Sequence, residues 1–268
     1  MCIRDRLCTY SFDFTGNDKY FQANSFQPSQ DRPYVEKMVK YLQSDHQYLQ
    51  CSCEDQADLL EDSVKAHDLP AMADVDSSML YFCRIVSKQH KVVLTGECAD
   101  EVFGGYPWFH REEFLKGGTF PWTPTLDPRK NLLSKELREL LRMEEYVQDT
   151  YNRALMDITP LPEENETETN RRQIGYLNIR FFMQTLLTRM DRTSMYSGLE
   201  ARVPFANPKL VSYVYNIPWN MKAKDGLVKN ILRQAAKGLL PDEILFRRKS
   251  PYPKSYNPQY EKLLTQRP

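Results

Sequence analysis

The sequence predicts an α/β protein, with a parallel sheet and flanking helices over roughly the first 110 residues and a mainly helical region after it. Three observations carry this. Apolar patterns of strand and helix type alternate between Cys8 and Phe103. Val92-Val93-Leu94 is a short unbroken apolar run, which predicts a strand buried on both faces, as in parallel sheets. From Leu133 onward the apolar residues keep helical spacing.

Cys8 to Phe14, "CTYSFDF", alternates aromatic and polar residues and reads as the first strand. Pro33 opens a helix whose stripe is Val35, Met38, Val39 and Leu42, proline being favoured in a first turn. A second strand passes through Tyr48-Leu49, and Glu54 to His67 reads as one helix. Asp68 to Ser78 reads as a loop, with Ser77 or Ser78 capping a helix that carries Met79, Phe82, Ile85 and Val86. Leu133 to Leu155 keeps helical spacing over a long segment, and Pro160 to Asn170 is polar, acidic and aperiodic, a surface loop. Ile174 to Leu187 is apolar nearly all round, which implies a buried helix. Asn207-Pro208 caps a helix that Pro218 stops, and Leu227 to Ala235 forms a last amphipathic stripe ended by Gly238 and Pro241.

The 268 residues suffice for a sizeable core, and 41% hydrophobic with 27% charged residues describes a globular chain. Lys plus Arg balances Asp plus Glu at 36 each, which argues against a broad nucleic-acid surface. No apolar run approaches the ~20 residues a bilayer span needs, and no basic-then-apolar leader opens the chain, so a cytoplasmic location is expected. Six cysteines are too few to scaffold this length, and Cys51-Ser52-Cys53 has the wrong spacing for zinc.

The chemistry concentrates in Lys91 to Phe109, "KVVLTGECADEVFGGYPWF". In open α/β sheets ligands bind beyond the carboxyl ends of strands, where Thr95-Gly96 falls. Glu97, Asp100 and Glu101 would repel a phosphate unless a cation lay between, and carboxylate plus phosphate is how Mg²⁺ is commonly held. Acids at a helix start also suit its dipole without any ligand. The Gly104-Gly105 pair ends that helix after barely two turns, which favours a shaped site.

"LTGECADEVFGGY" closely resembles a motif of asparagine synthetases, "MDRTSMYSGLEARVPFANPKLV" (Met190 to Val211) the family's second signature, and "LVKNILRQAAKGLLPDEILFRRKSPYP" (Leu227 to Pro253) the third. The resemblance implies the synthetase domain of a glutamine-hydrolysing asparagine synthetase, with the fold of the ATP pyrophosphatases. It implies that ATP activates the side-chain carboxylate of aspartate as an acyl-adenylate with loss of pyrophosphate, and that ammonia then releases asparagine and AMP. It assigns Asp100 to Mg²⁺ and pyrophosphate, with Glu101 beside it as a second metal ligand. Glu97 is assigned to forming and holding the intermediate, Thr95 (in place of the usual Ser) and Gly96 to the nucleotide, and Lys249 to the α-phosphate. Cys98 stands where relatives have a small residue and reads as a space-filler.

Other candidates keep two readings. Lys229 and Arg233 lie one turn apart and face either the phosphates or solvent. Phe14 either contacts adenine or is a core residue. Asp191 either lines the site or does not, and Glu200 with Arg202 forms an internal ion pair. Asp68, Asp74 and Asp76 suit recognition of an α-ammonium group.

The family's Ser-Gly-Gly-x-Asp-Ser pyrophosphate loop and its glutaminase domain are absent from the sequence. Residues 1–7 are therefore expected to be a foreign leader on an incomplete synthetase domain (8–268, split into 8–110 and 111–268) of weak or no activity by itself. The partners implied are aspartate, ATP and ammonia from glutamine, the last from a separate glutaminase chain or domain, with homodimer formation left open. A β-lactam synthetase-like enzyme and a non-catalytic remnant are the rival readings.

Overall fold

The computed structural model describes residues 7–24, 27–159 and 161–266. Along the chain the main elements are β1 (Cys8–Phe14), α1 (Arg32–Leu42), β2 (Asp45–Cys51), α2 (Ala73–Val86), β3 (Val92–Leu94) and α3 (Ala99–Phe103). They continue with α4 (Met143–Met156), α5 (Glu166–Leu177), α6 (Met183–Tyr196), β4 (Glu200–Arg202), α7 (Pro208–Tyr215) and α8 (Asn230–Ala235). The α/β class holds. Contacts divide the chain into one unit of residues 1–95, 188–202 and 233–268 and another of 96–187 and 203–232, rather than at residue 110. Among the described residues no helix is long and apolar enough to cross a membrane.

In the first unit β1 and β2 pair in parallel from Cys8↔Asp45 to Phe14↔Cys51, and β3 and β4 pair in parallel from Val92↔Glu200 to Leu94↔Arg202. Residues 1–6, Cys2 included, lie outside the described residues. The Leu7 carbonyl, just ahead of β1, accepts a hydrogen bond from the Asp45 N–H. Helix α2 covers the strands with Met79, Cys83 and Val86, which pack with Leu199, Tyr10, Phe12, Leu49 and Val93. The β3 expectation needs correction. Val93 is turned to that core, but Val92 is 41% and Leu94 74% exposed, so the run is not buried on both faces. Uniform apolarity hid an ordinary strand alternation.

Two other boundaries moved. The helix expected over Glu54 to His67 breaks at Leu59 into Cys53–Asp58 and Leu60–His67. Helix α2 starts five residues before Ser78, at Ala73, because the Asp76 carboxylate accepts the Met72 N–H and draws the preceding loop into a turn. Ser77 and Ser78 are then interior helix residues whose hydroxyls donate to the carbonyls of Asp74 and Val75.

The second unit is built on two apolar clusters. One joins Cys98, Val102 and Phe103 to Met183 and Val214, and the other joins Phe120, Ala154 and Leu177. The long helical stretch is cut at Arg142, which takes φ +40°, giving Lys135–Leu141 and α4. The acidic stretch expected to be a loop contains the start of α5. Asn165 and Glu168 form a capping box, each side chain bonding the other's backbone N–H. Helices α5 and α6 are joined by one π-helical stretch, Asn178–Phe182. Of the described cysteines Cys8 is exposed, Cys51, Cys53, Cys83 and Cys98 are buried, and none is disulfide-bonded.

Candidate active site around the acidic turn

Strand β3 ends by donating the Thr95 N–H to the Arg202 carbonyl, and the chain then turns through Gly96, Glu97 and Cys98 into α3. A Cβ on Gly96 would meet nothing within 4 Å, so nothing inside the protein requires glycine there. The open space suits close approach of a ligand to the backbone. Cys98 adopts φ +69°, a state unfavourable for a side chain, and its thiol is buried in the Val102–Phe103 core. The space-filling role expected of it is the one it has.

The Gly-Gly pair has two separate causes. Gly104 ends α3 at φ +71°, and a Cβ there would lie 2.5 Å from the indole of Trp219. At Gly105 a Cβ would lie 1.8 Å from Asp100 Oδ1, so the aspartate folds back over a backbone that must be bare. The Gly105 N–H donates to the Asp100 carbonyl at 2.8 Å and closes the turn. Lys229, in the left-handed region at φ +55°, places its ammonium 2.9 Å from the same Oδ1. Both side chains are mostly buried, at 19% and 22% exposed, so the pair is worth more than a solvated one.

The structure separates Asp100 from Glu101. Successive helix residues point in different directions, and Glu101 is 3% exposed with its carboxylate accepting the Tyr106 hydroxyl. Glu101, expected as a second metal ligand, is in this structure a buried hydrogen-bond acceptor. Among the described residues no three His, Cys, Asp or Glu side chains gather to hold a metal. Asp100, a cradled carboxylate, fits a single oxygen ligand to Mg²⁺, which commonly takes its remaining oxygens from phosphates and water.

The pairing of Lys229 with Arg233 fails. Lys229 precedes α8, while Arg233 is 8% exposed and donates to the carbonyls of Leu245 and Arg247. It ties down the segment leading to Lys249. Arg247 is likewise committed, over the Tyr34 ring at 3.9 Å and paired to Asp31 at 2.5 Å. Lys249 follows in an irregular stretch, half-buried.

Phe14 is 2% exposed and packs edge-on against Phe82, beside Cys51, so in this structure it is a core residue. Asp191 is exposed on α6. Arg202 donates to Glu200 at 2.7 Å, but both are over half exposed and the pair contributes little. The acids of residues 68–76 part company: Asp68 pairs with Arg192 at 2.9 Å, whereas Asp76 is buried with its carboxyl pushed above the usual range by burial. By unit, Phe14, Thr95, Asp191, Arg233 and Lys249 fall in the first, and Gly96, Glu97, Asp100, Glu101 and Lys229 in the second.

Sequence reasoning missed the fold-back of Asp100 over Gly105 and the Trp219 contact that fixes Gly104. The double glycine was the available signal, read as a helix stop that favours a shaped site without the contacts that require it.

A sequence model described as asparagine synthase matches residues 3–267. The match takes in residues 3–7 of the stretch expected to be a leader. The chain is 50% identical over 256 residues to asparagine synthetase [glutamine-hydrolyzing] 3 of Bacillus subtilis (strain 168), covering 96% of this chain and 41% of the relative. It is 29% identical to asparagine synthetase [glutamine-hydrolyzing] 1 of the same organism over 68% of this chain and 34% of that one. It is 25% identical to asparagine synthetase [glutamine-hydrolyzing] of Rattus norvegicus over 86% of this chain and 33% of the relative. The chain thus spans 41% or less of the length of these relatives. With a match running almost end to end and a turn in which Gly105, Asp100 and Lys229 are mutually required, the chain belongs to the asparagine synthase family.

Proposed function

We propose that this protein contributes the synthetase step of asparagine formation: ATP-dependent amidation of aspartate through β-aspartyl-AMP, with release of AMP and pyrophosphate. The observation that carries the reading is the cradled Asp100 carboxylate beyond β3, backed by Lys229 and made room for by Gly105. Asp100 would hold Mg²⁺, which supplies charge neutralisation of the pyrophosphate when bound. Thr95 and Gly96 would approach the nucleotide, Glu97 would hold the intermediate, and Lys249 would offset charge developing at the α-phosphate. Ammonia would come from glutamine, as the relatives' names suggest for them, and the cytoplasm is the compartment that supplies ATP and aspartate.

Calorimetry with a non-hydrolysable ATP analogue, with and without Mg²⁺, tests the site. Asp100→Asn should abolish the magnesium-dependent part of binding, and an unchanged magnesium dependence would overturn the assignment. Pyrophosphate release with ATP, aspartate and ammonium tests the substrate. Release that is indifferent to aspartate, or larger with another amino acid, would favour a different amide-forming enzyme.

A further inference from the structure

The second unit holds a cavity of about 490 Å³ with no part in the chemistry above. One wall is apolar, from Phe109, Ile179, Ile217 and the Trp219 indole. Trp219 is fixed from two sides, stacked with Phe109 at 5.5 Å and covered by the Arg171 guanidinium at 4.9 Å. At the cavity surface sits Lys222, 8% exposed, whose ammonium donates to the Tyr215 carbonyl at 3.2 Å.

The lining carries Glu101, Glu163, Glu164 and Glu168 against Arg171, Arg172 and Lys222, so its charge balance turns on which of them are paired. Arg172 is satisfied by Glu164, which it binds through Nε at 2.7 Å. Glu168 closes the capping box at the start of α5, and Glu101 accepts the Tyr106 hydroxyl. Glu163 and Glu168 are exposed. Lys222 meets no carboxylate; the charged neighbour acting on it is Arg172, which repels it. Arg171 uses Nε on the Phe109 carbonyl, its terminal nitrogens hold no hydrogen bond among the described residues, and Glu168 is the carboxylate that acts on it. A buried cation with a single carbonyl partner is costly unless something negative joins it. The volume matches that of small-molecule sites, which combine apolar walls with a few fixed polar groups.

The geometry points to a binding site for a small organic carboxylate with a flat apolar body, its anionic end on Lys222 and Arg171 and its body along the apolar wall. The site is independent of the synthetase assignment, since it uses none of Thr95, Glu97, Asp100 or Lys249.

Benzoate is the probe, with benzyl alcohol as its neutral counterpart and inorganic phosphate as an anion without an apolar body. Binding is read by indole fluorescence and by the melting temperature of the whole protein. Benzoate should bind saturably, with benzyl alcohol and phosphate each at least about tenfold weaker, because both the charge-assisted contacts and the apolar wall are needed. Lys222→Met should weaken benzoate at least about tenfold and leave benzyl alcohol unchanged. Arg171→Gln, at a less buried position, should weaken it in the same direction and serves if Lys222→Met fails to fold. Equal binding of benzoate and benzyl alcohol, equal binding of benzoate and phosphate, no saturable benzoate signal in the millimolar range, or benzoate binding untouched in both variants would each overturn the proposal.

Discussion

Asp100 Oδ1 occupies the space that a side chain on Gly105 would take, 1.8 Å from where its Cβ would stand. The glycine and the aspartate are therefore one device, although five positions separate them. Gly105→Ala should cost about 2–3 kcal/mol in chemical denaturation, the usual scale of overpacking. Adding Asp100→Ala should restore most of that stability, because the clashing oxygen is gone. Gly104→Ala should show no such rescue, since its neighbour is the Trp219 indole at 2.5 Å.

The Lys229 ammonium pairs with Asp100 Oδ1 at 2.9 Å. Lys229→Met should destabilise the protein by about 1–2 kcal/mol, with a smaller effect at high salt. A double-mutant cycle with Asp100→Asn should return a coupling energy above about 0.5 kcal/mol. Additive single effects would mean that the 2.9 Å contact is not maintained in solution.

Lys222 carries a pH signature. Burial, with repulsion from Arg172, lowers its ammonium from 10.5 to about 8. At about 1.4 kcal/mol per pH unit, that drop corresponds to a folding penalty of about 3 kcal/mol. Because the folded-state value lies below the unfolded one, the unfolded chain binds the extra proton between pH 8 and 10.5. The penalty is complete below about pH 8 and relieved as pH rises toward 10.5. Lys222→Met should thus raise stability most near pH 7 and progressively less toward pH 10, provided no anion occupies the cavity. Urea denaturation of both proteins across that range is the measurement, and a pH-independent difference would contradict it.

Arg233 is expected to act on folding rather than directly on nucleotide. Its guanidinium holds the carbonyls of Leu245 and Arg247 just ahead of Lys249. Arg233→Met should lower stability by about 1–3 kcal/mol, the range for stranding buried polar partners. The same variant should increase protease sensitivity around residues 245–249. Loss of nucleotide affinity with unchanged stability and protease resistance would instead return Arg233 to the phosphates.

Much of the architecture was legible because it rests on local patterns. β1 matches its alternating stretch residue for residue, and Asn207-Pro208 starts α7 as read. Failures came where a tertiary partner decides. Val92 and Leu94 are apolar yet exposed, so composition could not tell the faces of β3 apart. The acidic stretch before Asn170 looked aperiodic, but Asn165 and Glu168 had the spacing of a capping box. At the site, Asp100 stood out by its motif, while its relation to Gly105 and Lys229 depends on a side chain folding back and a loop returning from more than 120 residues away. No periodicity encodes either. Arg233 shows the converse: a one-turn spacing from Lys229 suggested a shared face, and the late start of α8 removed it.

The placement of the thiols makes the protein its own unfolding gauge. Cys8 is exposed, Cys51, Cys53 and Cys83 are buried in the first unit, and Cys98 is buried in the second. A thiol reagent applied to native protein should modify Cys8 at once and reach Cys51, Cys53, Cys83 and Cys98 only through opening events. Mass spectrometry of timed samples would then report separate opening rates for the two units, with Cys98 marking the one that carries Asp100.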